Sequence, residues 1–399
     1  MSHKPHIVLI GAGLRNRGAE AMALTFIHEV NQRLDDTHVT IASYSQEELL
    51  PWGTHTQKIG GKTFTYDLVH NPSNFDKLLG LIGLSKSPFW KAWRRADSII
   101  DLSGFAMSDK RTAGRRLAYA YEIVAAWLYR KPIILFTQAF GPLDKPLTKL
   151  LAKSTLPLAR MVCVRDEQSI ESLTHCNLIG RIKQLQRAPD SALLLPTGST
   201  KPTEKANGYG IVPNIRLYET LAEAGKADDY IELLCKVARH AKHTYYSEPV
   251  FIIHEEYSDR KDDLWIAHEC QRKLSDQFPL QIIASCSALE IREKTASLEF
   301  IFASRYHAVV GAAALSIPFF ALGWAHKYQM LAADLGVAEA AWDGMQTNHA
   351  AILQRLDQLW DQRVQLAARL DTASKDLRQQ ASSLFDILSD QIKVTAGQH

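Results

Sequence analysis

Short, nearly unbroken apolar runs alternate along the chain with stretches whose apolar positions return every three or four residues. An apolar run without alternation is what a strand covered on both faces needs, and the three-to-four spacing is that of a helix with one buried side. In the first half this pattern predicts strands at residues 6–10, 38–42, 98–101, 133–137 and 161–164, with helices at 18–33, 115–129 and 145–155. Such alternation builds a parallel sheet with helices on both sides. Residues 52–93 break the rhythm with Gly60, Gly61, Pro72, Gly80, Gly83 and Pro88, and read as an excursion from the core without assigned elements.

A polar run, PTGSTKPTEKAN at 196–207, has no apolar periodicity and reads as a linker. Alternation then restarts, with strands predicted at 209–212, 249–254, 280–284, 299–303 and 319–322 and helices at 228–243 and 262–277. After Asn348 the pattern is purely helical, through Leu353, Leu356, Leu359, Leu366, Leu370, Leu377, Leu384 and Ile387. The expected architecture is therefore α/β: two Rossmann-like domains at 1–196 and 208–347, a linker at 197–207, and closing helices at 348–399. Ligands in such architectures bind at the carboxyl ends of strands, so the chemistry is expected in the loops there, around a cleft shared by the two domains.

Residues 308–325 imitate a membrane span. Ser316 and Pro318 interrupt them, however, and Arg305, His307, His326 and Lys327 flank them, so a buried helix followed by a buried strand is predicted. The apolar run at 7–10 is too short for a signal peptide, and the expected compartment is the cytoplasm, with a peripheral place at the inner face of the membrane compatible with it. Basic and acidic side chains number 46 and 43, giving a formal charge of +3, so no global field draws the chain to nucleic acid and any basic chemistry must be local. The five cysteines are scattered and form no C-x-x-C, which argues against a disulfide framework or structural zinc. His254-Glu255-Glu256 lacks the second histidine of a zinc-protease helix, and no metal is expected.

The loop after the first strand, GAGLRNRGAEA at 11–21, starts like a dinucleotide fingerprint. Asn16 stands at the third glycine position and no acid closes the second strand, which disfavours a nicotinamide cofactor. Asn16, Gly18 and Glu20 are candidates for an acceptor, with the helix start near Gly18 presenting free N–H groups; a tight structural turn is the alternative. Gln138 at a strand end suits an acceptor hydroxyl or a loop-stabilising role. Asp109 suits a general base or a helix cap. Arg165, in VRDEQS, suits a carboxylate or phosphate clamp, or an ion pair with Asp166 or Asp190. The densest signal is FASRYHAVVGAAALSIPFFALGWAHK at 302–327, where Ser304, Arg305, His307 and Lys327 fall at two successive strand ends beside a helix start, an arrangement suited to one small anion; capping or packing is the alternative for His307.

Taken in order, NRGAEA, SGFAMSD, TQAFGP, VRDEQS, PDSA and SRYHAVVGAAALSIPFFALGWAHK resemble the polysaccharide pyruvyl transferase family over most of the chain. The resemblance implies a two-domain GT-B-like fold and transfer of pyruvate from phosphoenolpyruvate to a sugar as a cyclic ketal, in exopolysaccharide biosynthesis. It also implies phosphoenolpyruvate as co-substrate with no further cofactor, and a sugar acceptor that can be lipid-linked. By resemblance Arg165, Arg305 and His307 fall at the phosphoenolpyruvate site, with Ser304 and Lys327 beside them. His307 is the expected acid, and Asp109, Glu20 and His254 the candidate bases in that order. His254 joins Asn16, Gly18, Glu20 and Gln138 on the acceptor side. Ala19 stands where the family often has an acid, and Phe105 follows Ser103-Gly104 where it has a glycine pair. A nucleotide-sugar glycosyltransferase of the same architecture, or a non-catalytic glycan-binding relative, are the competing readings.

Overall fold

The first sheet grows outward from its most apolar strands. β1 (His6–Ile10), β2 (His38–Ser43), β5 (Ser98–Asp101), β6 (Ile133–Gln138) and β7 (Met161–Val164) are buried almost throughout, as strands with helices on both faces must be. They pair in parallel, and with β3 (Gly53–Ile59), β4 (Lys62–His70) and β8 (Leu185–Arg187) give an eight-stranded sheet in the order β3-β4-β2-β1-β5-β6-β7-β8. The computed structural model describes residues 4–34, 36–43, 51–197, 208–257 and 259–397.

The stretch left unassigned from the sequence is ordered by its glycines. Gly60 and Gly61 both take positive φ, 57° and 84°, the geometry of a two-residue hairpin, and the antiparallel register pairs Ile59 with Lys62. Serine caps then start α2 (Asn74–Leu81) and α3 (Pro88–Arg95), where the Ser73 and Ser87 side chains accept from the backbone N–H of Asp76 and Trp90. Phe89, Trp90 and Trp93 enter the core beside Ile99, Ile123 and Val162, and the Trp90 ring stacks on Tyr129. The remaining helices of this sheet are α1 (Arg17–Arg33), α4 (Ala113–Leu128), α5 (Pro146–Thr155) and α6 (Glu167–His175).

The second sheet is wholly parallel, with six strands in the order β11-β10-β9-β12-β13-β14. These are β9 (Gly208–Val212), β10 (Glu248–Ile252), β11 (Gln281–Ile283), β12 (Phe300–Ala303), β13 (Phe319–Gly323) and β14 (Ala341–Asp343). Its helices are α7 (Ile215–Glu223), α8 (Ala227–His243), α9 (Asp263–Leu274), α10 (Ala288–Ala296), α11 (Tyr306–Ala314) and α12 (Lys327–Asp334). The apolar segment at 308–325 is indeed a buried helix and a buried strand, and among the described residues no helix is long and apolar enough to cross a membrane.

By its contacts the chain forms two units. One comprises residues 1–14, 22–191 and 379–399, the other 15–21 and 192–378. The last helices, α13 (His349–Asp361) and α14 (Arg363–Ala396), follow the expected helical ending, and the division between units falls inside α14. Apart from residue 197, the linker expected at 197–207 lies outside the described residues.

Candidate functional site

The second unit gathers the two richest motifs. β12 reads Phe-Ile-Phe-Ala, fully buried, and at its end the chain turns through Ser304 and Arg305 into α11, whose second residue is His307. Residues 15–21 lie in the same unit: the backbone N–H of Arg17 donates to the His254 carbonyl (3.0 Å), and Asn16 forms an antiparallel bridge with Glu255. The loop after β10 thereby meets NRGAEA.

Gly18 is fixed by contact rather than by a turn. A Cβ built on it would lie 2.0 Å from Nδ1 of His307, so only glycine lets the backbone press on the imidazole. That corrects the expected acceptor role of Gly18: it makes room for His307. Asn16 is likewise corrected. Its Oδ1 accepts from the N–H groups of Gly18 (3.0 Å) and Ala19 (3.3 Å), while Glu20 N–H donates to the Asn16 carbonyl. The helix start expected to offer free N–H groups to an anion thus has its first four already bonded.

Glu20 is no exposed base. Its carboxylate accepts from Arg17 Nη1 (2.9 Å) and from the backbone N–H of Ala288 (3.1 Å), tying the segment 15–21 to the start of α10 within the second unit; burial outweighs these contacts and raises its pKa. Arg17 also faces Glu256 at 3.8 Å.

Arg305, expected to clamp the donor, ends on carboxylates instead. Its Nε donates to Asp263 Oδ2 (2.8 Å), its Nη2 to Asp263 Oδ1 (2.5 Å), and its Nη1 faces Glu255 Oε2 (2.5 Å). Each guanidinium nitrogen therefore lies on a carboxylate in this structure, so Arg305 carries its charge into a pair of acids at the strand end. Burial pushes the Asp263 carboxyl up to about 6 against the pull of Arg305. At Glu255 burial acts in the same sense, but Arg305, the Tyr257 hydroxyl and Arg216 overcome it and hold the group near 2. Ser304 is also corrected as a donor contact: it is fully buried, and its carbonyl accepts from Asn214 Nδ2 (2.7 Å) and the Tyr328 hydroxyl (2.8 Å).

His254 lies among cations. Burial, with Arg305, His307 and Arg17 close by, pulls its pKa down to about 3. The lowered pKa favours the neutral ring, and among the described residues its buried Nδ1 has no hydrogen-bond partner. Arg17, His254 and His307 line a cavity of about 30 Å³ with Arg292, Ala288, Ala308 and neighbouring side chains, more room than one water needs. The Lys327 ammonium sits 4.8 Å from the ring centre of Tyr306 and 5.7 Å from those of Trp324 and Tyr328, a cation held over aromatic faces.

The other three candidates belong to the first unit. Arg165 takes the ion-pair alternative, its Nη1 on Asp190 of the PDSA motif at 2.8 Å, both side chains buried; Gly104 of SGFAMSD lies against the same guanidinium. Asp109 is corrected as a base. One oxygen accepts from the N–H groups of Asp144 (2.7 Å) and Lys145 (3.0 Å) at the start of α5, and the other from the Thr148 hydroxyl (2.5 Å) and Arg116 (3.5 Å). Burial works against ionisation there, but these donors win and lower its pKa. Gln138 is corrected from an acceptor contact to the loop brace: fully buried, it donates through Nε2 to the Asp101 carbonyl (2.9 Å) and Oδ1 (3.3 Å).

Sequence reasoning passed over Arg17, Glu255 and Asp263. Arg17 stood inside a quoted motif. Glu255 was weighed only as part of a failed metal motif. Asp263 had a fainter signal, two adjacent aspartates at a helix start: Asp262 caps α9, leaving the second for another task.

Among solved structures the chain is similar to a putative UDP-N-acetylglucosamine 2-epimerase from Listeria monocytogenes, with a TM-score of 0.59 and 9% identity over 96% of this chain and 94% of that one. It is also similar to the UDP-GlcNAc 2-epimerase from Methanocaldococcus jannaschii, with a TM-score of 0.54 and 13% identity over 89% and 92%. A structure described as trehalose-6-phosphate from E. coli bound with UDP-2-fluoro glucose gives 0.54 and 13% over 96% and 98%. At these identities the likeness is one of fold, two Rossmann-like units of the GT-B class. No curated protein matches. The family model for polysaccharide pyruvyl transferase matches residues 16–326, from Asn16 of the first motif to His326 of the last, and the chain belongs to that family.

Proposed function

We propose that the protein transfers pyruvate from phosphoenolpyruvate to a sugar of a polysaccharide or its precursor, including a lipid-linked one, and releases phosphate. The observation that carries this reading is the seating of His307. It is pinned at the first turn of α11 by the close backbone of Gly18, and lines a cavity with Arg17 beside the neutral His254. An acid of that kind, next to cations, is what the reaction needs.

A proton from His307 goes to the methylene carbon of the donor, leaving an oxocarbenium centre at the carbon that bears the phosphate. One sugar hydroxyl adds there and returns its proton to the imidazole of His307, which the first step left neutral. The carbon–oxygen bond to phosphate then breaks, phosphate departs with the electron pair, and a second hydroxyl of the same sugar closes the ketal. Lys327 supplies positive charge for the donor's anionic groups and for the leaving phosphate, and Arg17, itself held on Glu20 and Glu256, forms the wall of the cavity beside His307. Arg305, already neutralised, orients its own strand end. The reaction as written needs no further cofactor.

The test is phosphate release from phosphoenolpyruvate across a panel of sugar acceptors. The native protein is expected to turn over, and His307→Ala to lose about 10²–10⁴-fold in rate with donor binding by calorimetry largely kept. Near-normal turnover of His307→Ala overturns the acid assignment. Thermal stabilisation by nucleotide sugars but not by phosphoenolpyruvate overturns pyruvyl transfer in favour of glycosyl transfer.

A further inference from the structure

Charge is nearly balanced over the whole chain but not along it. Between residues 73 and 160 fifteen Lys and Arg stand against six Asp and Glu. Three of those acids, Asp97, Asp101 and Glu122, are buried, compared with one of the bases, Arg116, so the outer surface of this stretch is basic. The same stretch holds nine of the thirteen large exposed hydrophobic side chains among the described residues.

These side chains form rows. On α2 and just beyond it, Phe75, Leu78 and Ile82 repeat at three and four residues and are 71%, 59% and 63% exposed, while Leu81 turns inward to the core. On α4, Leu117 and Leu128 lie three turns apart and nearly in line, both exposed. α4 is bonded on both flanks: the Tyr121 hydroxyl donates to the Lys77 carbonyl of α2 (2.8 Å), and Arg116 donates to the Thr148 hydroxyl of α5. α5 adds Leu150, 64% exposed. α2 and α4 thus carry exposed apolar rows and the neighbouring α5 an exposed leucine, and the cations Lys86, Lys91, Arg95, Arg130 and Lys145 of the same stretch are exposed as well.

Apolar side chains standing among cations match an anionic lipid surface on both counts, hydrocarbon for the rows and phosphate for the rim. A second copy of the chain, applied about a two-fold axis, would set this basic rim against itself. We propose that the α2–α4–α5 face docks on the surface of an anionic phospholipid bilayer, the apolar rows entering the headgroup region and the basic side chains holding lipid phosphates. Docking is read without turnover, so its failure and that of pyruvyl transfer are separate results.

The experiment is flotation of the full chain with phosphatidylcholine vesicles and with vesicles that also contain phosphatidylglycerol. Binding is expected only to the second kind, falling as salt rises. A triple Phe75→Ser, Leu78→Ser, Ile82→Ser variant and a triple Lys86→Glu, Lys91→Glu, Arg95→Glu variant should each weaken it by about tenfold or more, with unchanged thermal unfolding. Absence of native binding to the anionic vesicles overturns the proposal, and so does full binding by the apolar triple variant. A native dimer by light scattering that the apolar variant converts to a monomer gives the face to a second copy and also overturns it.

Discussion

Arg292 and Arg305 are both buried in the second unit, yet they are surrounded in opposite ways. Arg305 meets the carboxylates of Asp263 and Glu255, and although burial works against its charge these acids raise its pKa above the usual value. Among the described residues Arg292 donates to backbone carbonyls only, those of Leu195 (2.8 and 3.2 Å), Ala192 (3.3 Å), Leu193 (3.3 Å) and Gly311 (3.0 Å). With no acid in that set, burial pulls it down to about 9, still charged near neutrality. A guanidinium among carboxylates is held by charge, for which protons and other anions compete. One among carbonyls is held by the shape of its fork, and its acceptors do not titrate. Arg292 ties the turn at 192–195 to α11, whereas Arg305 is the electrostatic centre of its strand end.

The largest effect that tests this contrast is expected from Arg292→Met. The side chain keeps its length but loses every donor, and buried carbonyls without partners cost about 1–3 kcal/mol each before relaxation. A loss of about 3–5 kcal/mol in urea unfolding follows, independent of pH between 5 and 8. A loss under about 1 kcal/mol would show that water or backbone movement serves those carbonyls equally well.

The same contrast marks how far the sequence can be read. The buried inner strands of both sheets were legible, because they leave unbroken apolar runs, and the ends of β1, β5 and β7 fell where those runs stop; the three-residue edge strands β8 and β14, partly exposed, were not predicted. The hairpin of β3 and β4 was missed although Gly60-Gly61 stood between alternating segments, because the partly exposed β3 carries no apolar run. At the site, the residues at strand ends were legible and their partners were not. Glu255, Asp263 and Arg17 come from three separate loops, and only folding shows that Arg305 is already paired while Gly18 serves His307. Sequence position tells where a side chain is carried, but its neighbours decide whether it is still available.

Glu255→Gln should produce a smaller, pH-dependent change. The Glu255 carboxyl is held near 2, below its usual 4.5, so it contributes stability that is present above about pH 4.5 and lost as pH falls toward 2. Asp263, raised to about 6, acts in the opposite sense: its burial cost appears as pH rises from about 4 to 6. Relative to the native chain, Glu255→Gln is expected to lose up to about 3 kcal/mol at pH 6 and progressively less below pH 4.5. Equal losses at pH 6 and pH 3 in urea titrations would mean that packing, not charge, accounts for the residue.

The smallest effect is expected from Arg305→Lys, and it sharpens the contrast because the same exchange at Arg292 should cost more. A lysine at 305 keeps the positive charge between Asp263 and Glu255 and gives up only the two-point grip on Asp263, a loss of about 1 kcal/mol. A lysine at 292 has three donors at one point. It cannot span carbonyls contributed both by the 192–195 turn and by Gly311, so several are left bare. Urea unfolding of the two variants side by side should therefore rank Arg292→Lys well below Arg305→Lys in stability. The reverse order would mean that the fork matters more among carboxylates than among carbonyls, and the distinction between a site held by charge and a site held by shape would fail for this unit.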